Sequence, residues 1–289
     1  MRAAAILGLG CSAKDLKPFQ TGTGVEWRMG MPAADDQVDV ILLFGGDGTI
    51  HRHLGQLVRR GVPVLVVPAG SGNDFAHSLN LSGVRDSRAA WEKFCSNASN
   101  VRQIDLGVIS ALDGRTSDNS RYFCCVAGVG LDGEVARRAN SLPRWLRGNG
   151  GYVLSLLPTI FSFAPLPMKV SIADAAGWTS RSNQPTVLAA FANAPLYGGG
   201  MKVAPRAKMN DGLLDVCIVG EVSRLKLLSL FPTVYAGRHL GIREVEYFQA
   251  ERARVETECP LDVYADGEYV CRTPVEISIQ RAALKVITV

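Results

Sequence analysis

The sequence predicts a protein of two domains: an N-terminal α/β domain with a parallel sheet over residues 1–104, and a β-rich domain over residues 105–289. Two observations predict this organisation. Apolar runs without alternation, at residues 40–44 and 61–67, each lead into a glycine-rich turn, as buried parallel strands do. From residue 101 onward, short apolar runs are separated by polar turns, which is typical of a β-rich domain.

The first glycine turn directly follows the predicted strand at residues 40–44. Glycines let the backbone approach a ligand closely and turn its N–H groups toward a phosphate. A helix is predicted from residue 50, Thr49 is predicted to cap it, and its dipole would favour an anion. The candidate phosphate-binding residues are Gly45, Gly46, Gly48 and Thr49. The alternative is a tight turn without a ligand.

The second glycine turn follows the predicted strand at residues 61–67 and opens another predicted helix near Phe75. In open α/β sheets, ligands bind at the carboxyl ends of the strands, so two such turns side by side favour one shared ligand. The candidate binding residues here are Gly70, Ser71, Gly72 and Asn73.

The N-terminal apolar run is expected to be a first strand rather than a signal peptide. It leads into residues 8–13, which match the G-x-G-x-x-[GA] dinucleotide fingerprint, and Glu26 lies near the position of a ribose-binding acid. A dehydrogenase is therefore an alternative. Against it, Pro18 and the turn at residues 21–24 interrupt the helix that the fingerprint needs.

Charge and cysteine content limit the partners and the compartment. The chain has 31 basic and 27 acidic residues, and the net charge of +4 is too small for a nucleic-acid binder but suits contact with anionic lipid. Seven cysteines without a C-x-x-C pair favour a reducing cytoplasm. We therefore expect a cytoplasmic protein without a nucleic-acid partner, and we leave a homodimer open.

The apolar segment at residues 150–163 is predicted to be a helix. It is shorter than the roughly 20 residues that span a bilayer, and Pro158 lies inside it. Four arginines lie just upstream of it: Arg137, Arg138, Arg144 and Arg147. This arrangement predicts peripheral contact with the inner, anionic membrane face, with a solvated helix face as the alternative.

The β-rich domain is predicted to contain a series of strands and two helices. The predicted strands are residues 122–126, 168–173, 186–191, 214–219, 244–249, 253–258, 261–265 and 275–279. The predicted helices are residues 132–140 and 150–163. Residues 112–120 are predicted to form an exposed hairpin loop.

Two motifs resemble a known family. Gly45-Gly46-Asp47-Gly48-Thr49, followed by Pro68-Ala69-Gly70-Ser71-Gly72-Asn73-Asp74, is similar to the catalytic domain shared by diacylglycerol, sphingosine and ceramide kinases and bacterial lipid kinases. Residues 127–132, 198–205 and 211–216 resemble the family in order and spacing, so the resemblance covers nearly the whole chain. It implies a C-terminal β-sandwich that binds lipid, and phosphoryl transfer from ATP to a lipid hydroxyl in the cleft between the domains.

The resemblance also implies roles for single residues. Asp47 would meet Mg²⁺ or a phosphate-bound water, and Ser71 and Asn73 would donate to phosphate or ribose. A structural Mg²⁺ would be held by the carboxylate of Asp211 and the carbonyl of Leu213. A β-turn with Asp-Gly at its apex is the alternative explanation of these last two residues.

Two Asp-Gly-Glu triplets compete for the catalytic position, one at Asp132 and one at Asp266. In the family the catalytic triplet follows the penultimate strands, which favours the second. By resemblance, Asp266 is the base that takes the proton of the lipid hydroxyl, and Glu268 is assigned to the cofactor site. Asp132 is predicted to be the N-cap of a helix.

One departure and several alternatives remain. The family's Asn-Glu after the first glycine turn is replaced by His51-Arg52, which reverses the charge at the Glu position. NAD kinases share the first glycine turn and are the nearest alternative enzyme, and a non-catalytic lipid- or nucleotide-binding module is an alternative of another class. The acceptor is left open among diacylglycerol, a sphingoid base and an isoprenoid or other bacterial lipid alcohol.

Overall fold

The computed structural model describes residues 1–20, 24–97, 99–112, 120–141 and 151–289. Its strands are β1 (Arg2–Leu7), β2 (Glu26–Met29), β3 (Val40–Gly45), β4 (Val64–Pro68), β5 (Val101–Ala111), β6 (Arg121–Phe123), β7 (Val126–Gly130), β8 (Leu166–Asp174), β9 (Gly177–Ala192), β10 (Leu214–Gly220), β11 (Val245–Ala250), β12 (Arg252–Thr257), β13 (Asp262–Ala265), β14 (Glu268–Arg272) and β15 (Val275–Ile287). Its helices are α1 (Ala13–Leu16), α2 (Asp47–Arg60), α3 (Asp74–Ser78), α4 (Val84–Cys95), α5 (Leu131–Ser141), α6 (Gly151–Ser162) and α7 (Arg224–Tyr235).

The chain divides into two compact units. Unit 1 consists of Met1–Asp105 and Ala282–Val289, and unit 2 is Leu106–Arg281. The predicted boundary after residue 104 lies one residue from the observed boundary. The prediction for the C-terminal segment agrees less well. The sequence assigned it to the second domain, whereas Ala282–Val289 belong to unit 1.

Unit 1 is an α/β domain on a parallel sheet, as the sequence predicts. The strands lie in the order β2-β1-β3-β4, and the C-terminal end of β15 joins β4 through the pair Val286 and Val64. Every neighbouring pair in this sheet is parallel. Strands β3 and β4 are buried along their whole length, which explains their unbroken apolar sequence.

Helix α2 begins at Asp47, with Gly46 as its N-cap residue. The prediction that Thr49 caps this helix is therefore wrong, because Thr49 lies inside the first turn. Its side chain packs on two glycines instead: a Cβ on Gly8 or on Gly45 would lie 2.7 Å from Thr49 Oγ1. Gly8 is thus a glycine because β1 passes close to α2, and not because a dinucleotide fingerprint requires it.

The rest of α2 is helical as predicted, and its apolar residues are spaced for one buried face. Ile50, Leu54 and Leu57 are buried, and Gly61 ends the helix with φ of 62° in the left-handed region. Helix α4 is fixed to the sheet by Ser87, whose hydroxyl donates to the Val66 carbonyl of β4 at 2.9 Å.

The chain passes between the units twice, once within β5 and once within β15. On the unit 1 side, the buried carboxylate of Asp105 accepts the backbone N–H of Ala282 at 2.7 Å. Asn100 and Thr288 add two bonds: the backbone N–H of Thr288 donates to the Asn100 carbonyl at 3.0 Å, and Asn100 Nδ2 donates to the Thr288 carbonyl at 2.9 Å. These bonds hold the C-terminal end of β15 in unit 1.

Unit 2 is the β-rich domain that the sequence predicts. Its strands lie in the order β14-β13-β7-β9-β8-β12-β15, and neighbours along this order are antiparallel. Strand β10 pairs with β9 and β11, and β5 pairs with β15 and β6. The core is formed by residues of one face of these strands, including Phe123, Phe191, Val216, Val255 and Ile277.

Some elements of unit 2 differ from the prediction. The predicted strand at residues 122–126 is divided into the end of β6 and the start of β7, with Cys124 and Cys125 between them. Helix α7 and strands β2 and β14 were not predicted. The loop predicted at residues 112–120 lies mostly outside the described residues. Among the described residues, no helix combines the length and the apolar character needed to cross a membrane.

Candidate active site

The two glycine loops of unit 1 touch each other. A Cβ on Gly46 would lie 2.9 Å from the Cα of Gly70, and a Cβ on Gly70 would lie 2.6 Å from the Cα of Gly46. Both distances are too short for a side chain, so each loop requires a glycine where it meets the other. The sequence predicted these glycines from the needs of a ligand, and the structure gives an additional reason for them.

Asp47 connects the same two loops. Its Oδ2 accepts the backbone N–H of Asp74 and its Oδ1 that of Phe75, both at 3.1 Å. The carboxylate of the first loop therefore satisfies two N–H groups at the start of α3, which follows the second loop. The role of Asp47 toward Mg²⁺ or a phosphate-bound water stays a prediction.

Asn73 closes the second loop on itself. It adopts φ of 55°, its Oδ1 accepts the backbone N–H of Gly70 at 2.9 Å, and its Nδ2 donates to the Gly70 carbonyl at 2.7 Å. Ser71, at the tip of this loop, is exposed. The structure thus assigns Asn73 a loop-forming role, and its donation to phosphate or ribose stays a prediction, as does that of Ser71.

Arg52, which replaces the expected Glu, is exposed on α2, while its neighbour His51 is half-buried. The charge reversal therefore falls on a solvent-facing position, where an arginine has no desolvation cost. This placement is compatible with intact glycine loops.

Asp266 lies at the tip of the hairpin between β13 and β14. Asp266 and Gly267 have φ of 50° and 82°, between the paired residues Ala265 and Glu268. Asp-Gly is the preferred sequence for a two-residue hairpin turn with positive φ at both positions. Glu268 itself is exposed at the start of β14, and its cofactor role stays a prediction.

The carboxylate of Asp266 is held by backbone donors. Its Oδ2 accepts the N–H of Cys124 at 2.8 Å, and its Oδ1 accepts those of Cys125 at 2.8 Å and Val126 at 3.3 Å. The break between β6 and β7 supplies these donors, which the sequence did not reveal because it predicted one continuous strand. Three N–H groups fix the orientation of the carboxylate.

Asp132 is not the N-cap of α5, because the helix begins one residue earlier at Leu131. Asp132 lies in the first turn, is 8% exposed, and its carboxylate lies over Gly128, where a Cβ would collide with it. The N-cap prediction is therefore wrong, since burial against β7 determines the position of this side chain.

The Asp211 turn contains oxygen ligands of the type that Mg²⁺ prefers. Asp211 Oδ1 accepts the backbone N–H of Leu213 at 3.1 Å across Gly212, which has φ of 75°. The described residues contain no group of three or more His, Cys, Asp or Glu side chains around one point. One carboxylate and one carbonyl fit a Mg²⁺ that keeps most of its waters, so the donor chemistry is compatible with the predicted site.

A polar network that extends from the exposed Asp211 to the buried Asp215 adjoins this turn. Gln249 Nε2 lies 3.4 Å from Asp211 Oδ2 and 3.3 Å from Asp215 Oδ2, and the Tyr247 hydroxyl donates to Asp215 Oδ1 at 2.7 Å. Burial raises the pKa of the Asp215 carboxyl and, together with the bond to Asp215, that of the Tyr247 phenol. No sequence pattern indicated this network.

Unit 2 also contains an apolar cavity of ≈ 80 Å³. Its floor is the face of β10 opposite the core, with Cys217 and Val219, and its sides come from α5, α6 and α7. No residue of α7 is fully buried, although Leu230 and Phe231 line the cavity. Asp132 and His239 are among the polar residues at this cavity. The sequence did not predict it, because its lining comes from segments that are far apart in the chain.

Glycine loops at the carboxyl ends of parallel strands, followed by an antiparallel β unit, define a two-domain kinase architecture, and family models give the same class. Residues 16–109 match the diacylglycerol kinase catalytic domain, and residues 125–288 match the YegS C-terminal NAD kinase beta sandwich-like domain. A diacylglycerol kinase from Mycobacterium tuberculosis is 36% identical over 250 residues, which cover 86% of this chain and 76% of that protein. The chain therefore belongs to the diacylglycerol kinase family of lipid kinases.

Solved structures agree with this fold. The crystal structure of a diacylglycerol kinase from Bacillus anthracis matches with a TM-score of 0.66 at 17% identity, covering 100% of this chain and 96% of that one. An NAD kinase from Archaeoglobus fulgidus in complex with ATP matches with a TM-score of 0.55 at 13% identity, covering 100% and 93%. The predicted family and fold class, including the β-sandwich, are confirmed. The dehydrogenase alternative loses its basis, because helix α1 spans Ala13–Leu16 alone.

Proposed function

We propose that this protein is an ATP- and Mg²⁺-dependent lipid kinase that transfers the γ-phosphoryl group to the hydroxyl of a membrane lipid, of the diacylglycerol or sphingoid-like class. The observation that carries the proposal is the pair of interlocked glycine loops in a chain of the lipid kinase family. The apolar cavity of unit 2 supports an apolar acceptor. The proposal assigns the nucleotide to unit 1, and the base and the lipid to unit 2.

The nucleotide phosphates would lie on the two glycine loops. Backbone N–H groups of residues 45–49 and 70–73, other than the Gly70 N–H that donates to Asn73, would bind phosphate oxygens, and the α2 dipole would favour the negative charge. Asp47 and Asn73 keep the loops in place through their bonds to the backbone. A Mg²⁺ accompanying the nucleotide would neutralise charge on the phosphates, and a structural Mg²⁺ would be held by Asp211 and the Leu213 carbonyl.

Asp266 would act as the base. Its two oxygens accept three backbone N–H groups, which hold in one orientation a carboxylate that can accept the proton of a lipid hydroxyl. The fixed orientation means that no reorganisation is needed when the proton is transferred. Phosphoryl transfer needs positioning and charge stabilisation more than covalent chemistry, so one carboxylate at the nucleophile is sufficient.

The lipid would be taken from the inner face of the membrane by a cytoplasmic protein. Arg137 and Arg138 both pair with Glu134, at 2.6 and 2.9 Å, so two guanidinium groups share one carboxylate and leave an excess of positive charge. Phe161 of α6 is 53% exposed, and its neighbour Ser162 accepts a hydrogen bond from Arg138 at 2.9 Å. An exposed aromatic near cations suits a membrane interface. Arg144 and Arg147, which belong to the same predicted surface, lie outside the described residues.

The decisive experiment is incubation with labelled ATP, Mg²⁺ and a total lipid extract, followed by identification of the labelled lipid. A parallel reaction with NAD tests the alternative enzyme, and purified diacylglycerol and sphingosine identify the acceptor class. Labelled lipid that is lost in Asp266→Asn would support the proposal. Labelled NADP without labelled lipid would replace it by the NAD kinase function, and ATP binding without any turnover would favour the non-catalytic module.

A further inference from the structure

His239 is a buried histidine with one ring nitrogen that has no partner among the described residues. It begins the 3₁₀ turn His239–Gly241 and is 3% exposed. Its Nε2 lies 3.0 Å from the carbonyl oxygen of Val203. Because a carbonyl oxygen can only accept, Nε2 must carry a proton. Its Nδ1 is buried and makes no hydrogen bond.

The protonation state of the ring follows from its surroundings. Burial lowers the pKa of the His239 imidazole below its usual value, so the ring is neutral at physiological pH. With the proton on Nε2, Nδ1 presents a lone pair and can only accept. A buried acceptor without a donor is unfavourable, and a native protein rarely leaves one without a reason.

The ring lines the apolar cavity of unit 2, whose other walls are mainly aliphatic and aromatic, including Val219, Leu230 and Phe231. The thiol of Cys217 is also at the cavity, and burial raises its pKa to about 12, so it stays protonated and weakly polar. Asp132 and Tyr197 are further polar residues at the cavity. The described lining group that lacks a partner is Nδ1 of His239, so an occupant that satisfies it must be mostly apolar and must offer a proton.

We propose that this cavity binds a stretch of aliphatic chain that carries a hydroxyl group, and that the hydroxyl donates a hydrogen bond to His239 Nδ1. The inference rests on the proposed function, since it takes the acceptor to be a lipid. It narrows the acceptor to lipids with a hydroxyl on the chain in addition to the hydroxyl that is phosphorylated. Ester carbonyls and ether oxygens do not satisfy Nδ1, because they offer no proton. The ≈ 80 Å³ volume suits a short stretch of chain rather than a whole lipid.

The experiment measures binding of two probes to the full chain by calorimetry without nucleotide: stearic acid and stearic acid hydroxylated in mid-chain. We expect the hydroxylated acid to bind about tenfold tighter, as a hydrogen bond to a buried acceptor typically provides. In His239→Phe, which keeps a ring but removes both nitrogens, the preference should disappear. The matched control, Met201→Leu, changes the same wall without touching a hydrogen bond and should keep the preference, whatever it does to the two affinities.

Equal affinity of the unaltered protein for the two acids would overturn the inference and indicate that a water satisfies Nδ1. A preference that persists in His239→Phe would overturn it as well. Because the first comparison needs no substitution, it decides the question even if the variant does not fold. Binding of the two acids requires neither ATP nor turnover, so the two proposals can fail separately. A preference for the hydroxylated acid without any phosphorylated lipid would reject the kinase proposal alone. A phosphorylated lipid without that preference would reject this inference alone.

Discussion

Oδ1 of Asp47, at the start of α2, accepts the backbone N–H of Phe75, at the start of α3, at 3.1 Å. One side chain thereby fixes the distance between the two loops that we propose to bind nucleotide. Asp47→Asn removes at least one of its two acceptor positions, because an amide nitrogen cannot accept. We expect a loss of about 1–3 kcal/mol in the free energy of unfolding and weaker ATP binding, measured by urea unfolding and calorimetry.

Asp15→Asn is the matched control for this substitution, because Asp15 also accepts a backbone N–H, from Ser12 at 2.7 Å, but on an exposed short helix. Asp15→Asn should lower the free energy of unfolding by less than Asp47→Asn does, and it should leave ATP binding unchanged. If Asp47→Asn abolishes ATP binding while the free energy of unfolding stays the same, then Asp47 acts on the ligand and its role as a connection between the loops is minor.

Gly46→Ala should destabilise unit 1 as well as weaken ATP binding. The sequence alone predicts that a side chain at Gly46 blocks the ligand and leaves the fold intact. The structure changes this expectation, because the new Cβ would lie 2.9 Å from the Gly70 backbone, which cannot move as a side chain can. We expect a loss of about 1–3 kcal/mol, as for other overpacked sites. Gly241→Ala, which has open space around the new Cβ, is the control. A fully stable Gly46→Ala would show that the loops separate at little cost.

Asp266→Asn should lower kcat by on the order of 10²–10⁴-fold, the usual contribution of a general base, with little change in nucleotide affinity. The structure adds a second effect, since the amide NH₂ would face backbone N–H donors of residues 124–126 and destabilise the turn. Activity and melting temperature must therefore be measured together. Asp132→Asn, the same change in the other triplet, should keep most of the kcat. If Asp132→Asn is inactive and Asp266→Asn is active, the base is Asp132, at the cavity, and the assignment of Asp266 is wrong.

His239 should make stability depend on pH. Its folded pKa is lowered below the ordinary 6.5, so in the window between the two values the unfolded chain binds a proton that the folded protein does not. The contribution of this residue is fully present above pH 6.5 and should be lost as pH falls through the lowered pKa. Urea unfolding between about pH 5 and pH 8 should show the unaltered protein losing free energy of unfolding relative to His239→Phe on acidification. A difference that is constant over this range would contradict neutral burial of the ring.

Binding to anionic vesicles should weaken as salt rises, and Arg137→Gln with Arg138→Gln should weaken it further. Arg88→Gln is the matched control, because Arg88 also pairs with a glutamate one turn away on its helix, Glu92 at 2.8 Å, but lies in unit 1. A cosedimentation assay distinguishes the variants. Equal binding of all of them would place the membrane contact on another surface.

The sequence predicts those elements whose buried residues form a regular pattern within the element itself. Strands β3 and β4 and helix α2 are recognisable because their apolar residues are either continuous or spaced for one face. Thr49 was misplaced because the helix starts earlier, at a carboxylate whose partners lie 27 and 28 residues away. Helix α7 was missed because its apolar residues do not form one buried face: Leu225 is 77% exposed, whereas Leu230 lines a cavity.

The functional site also contains some residues that a local sequence pattern predicts and others that it does not. The conformations of the glycine loops and of the Asp-Gly turn at Asp266 are predictable from their own residues, because positive φ and close approach demand glycine, Asn or Asp. The donors that hold Asp266 come from a break between two strands more than a hundred residues earlier, and His239 is isolated in the sequence. No local pattern marks such residues, because their surroundings form only when the strands pair.

The bond between Asp105 and Ala282 has a consequence for the gene. Unit 1 is discontinuous, and the whole of unit 2 is an insertion between two residues that are joined by a hydrogen bond. Cutting the coding sequence after residue 104 would therefore not yield an independent nucleotide-binding fragment, because it would remove the strand that covers the edge of β4. Replacing residues 106–281 by a short linker would preserve every strand of the parallel sheet. We therefore expect unit 1 to be separable by internal deletion rather than by truncation.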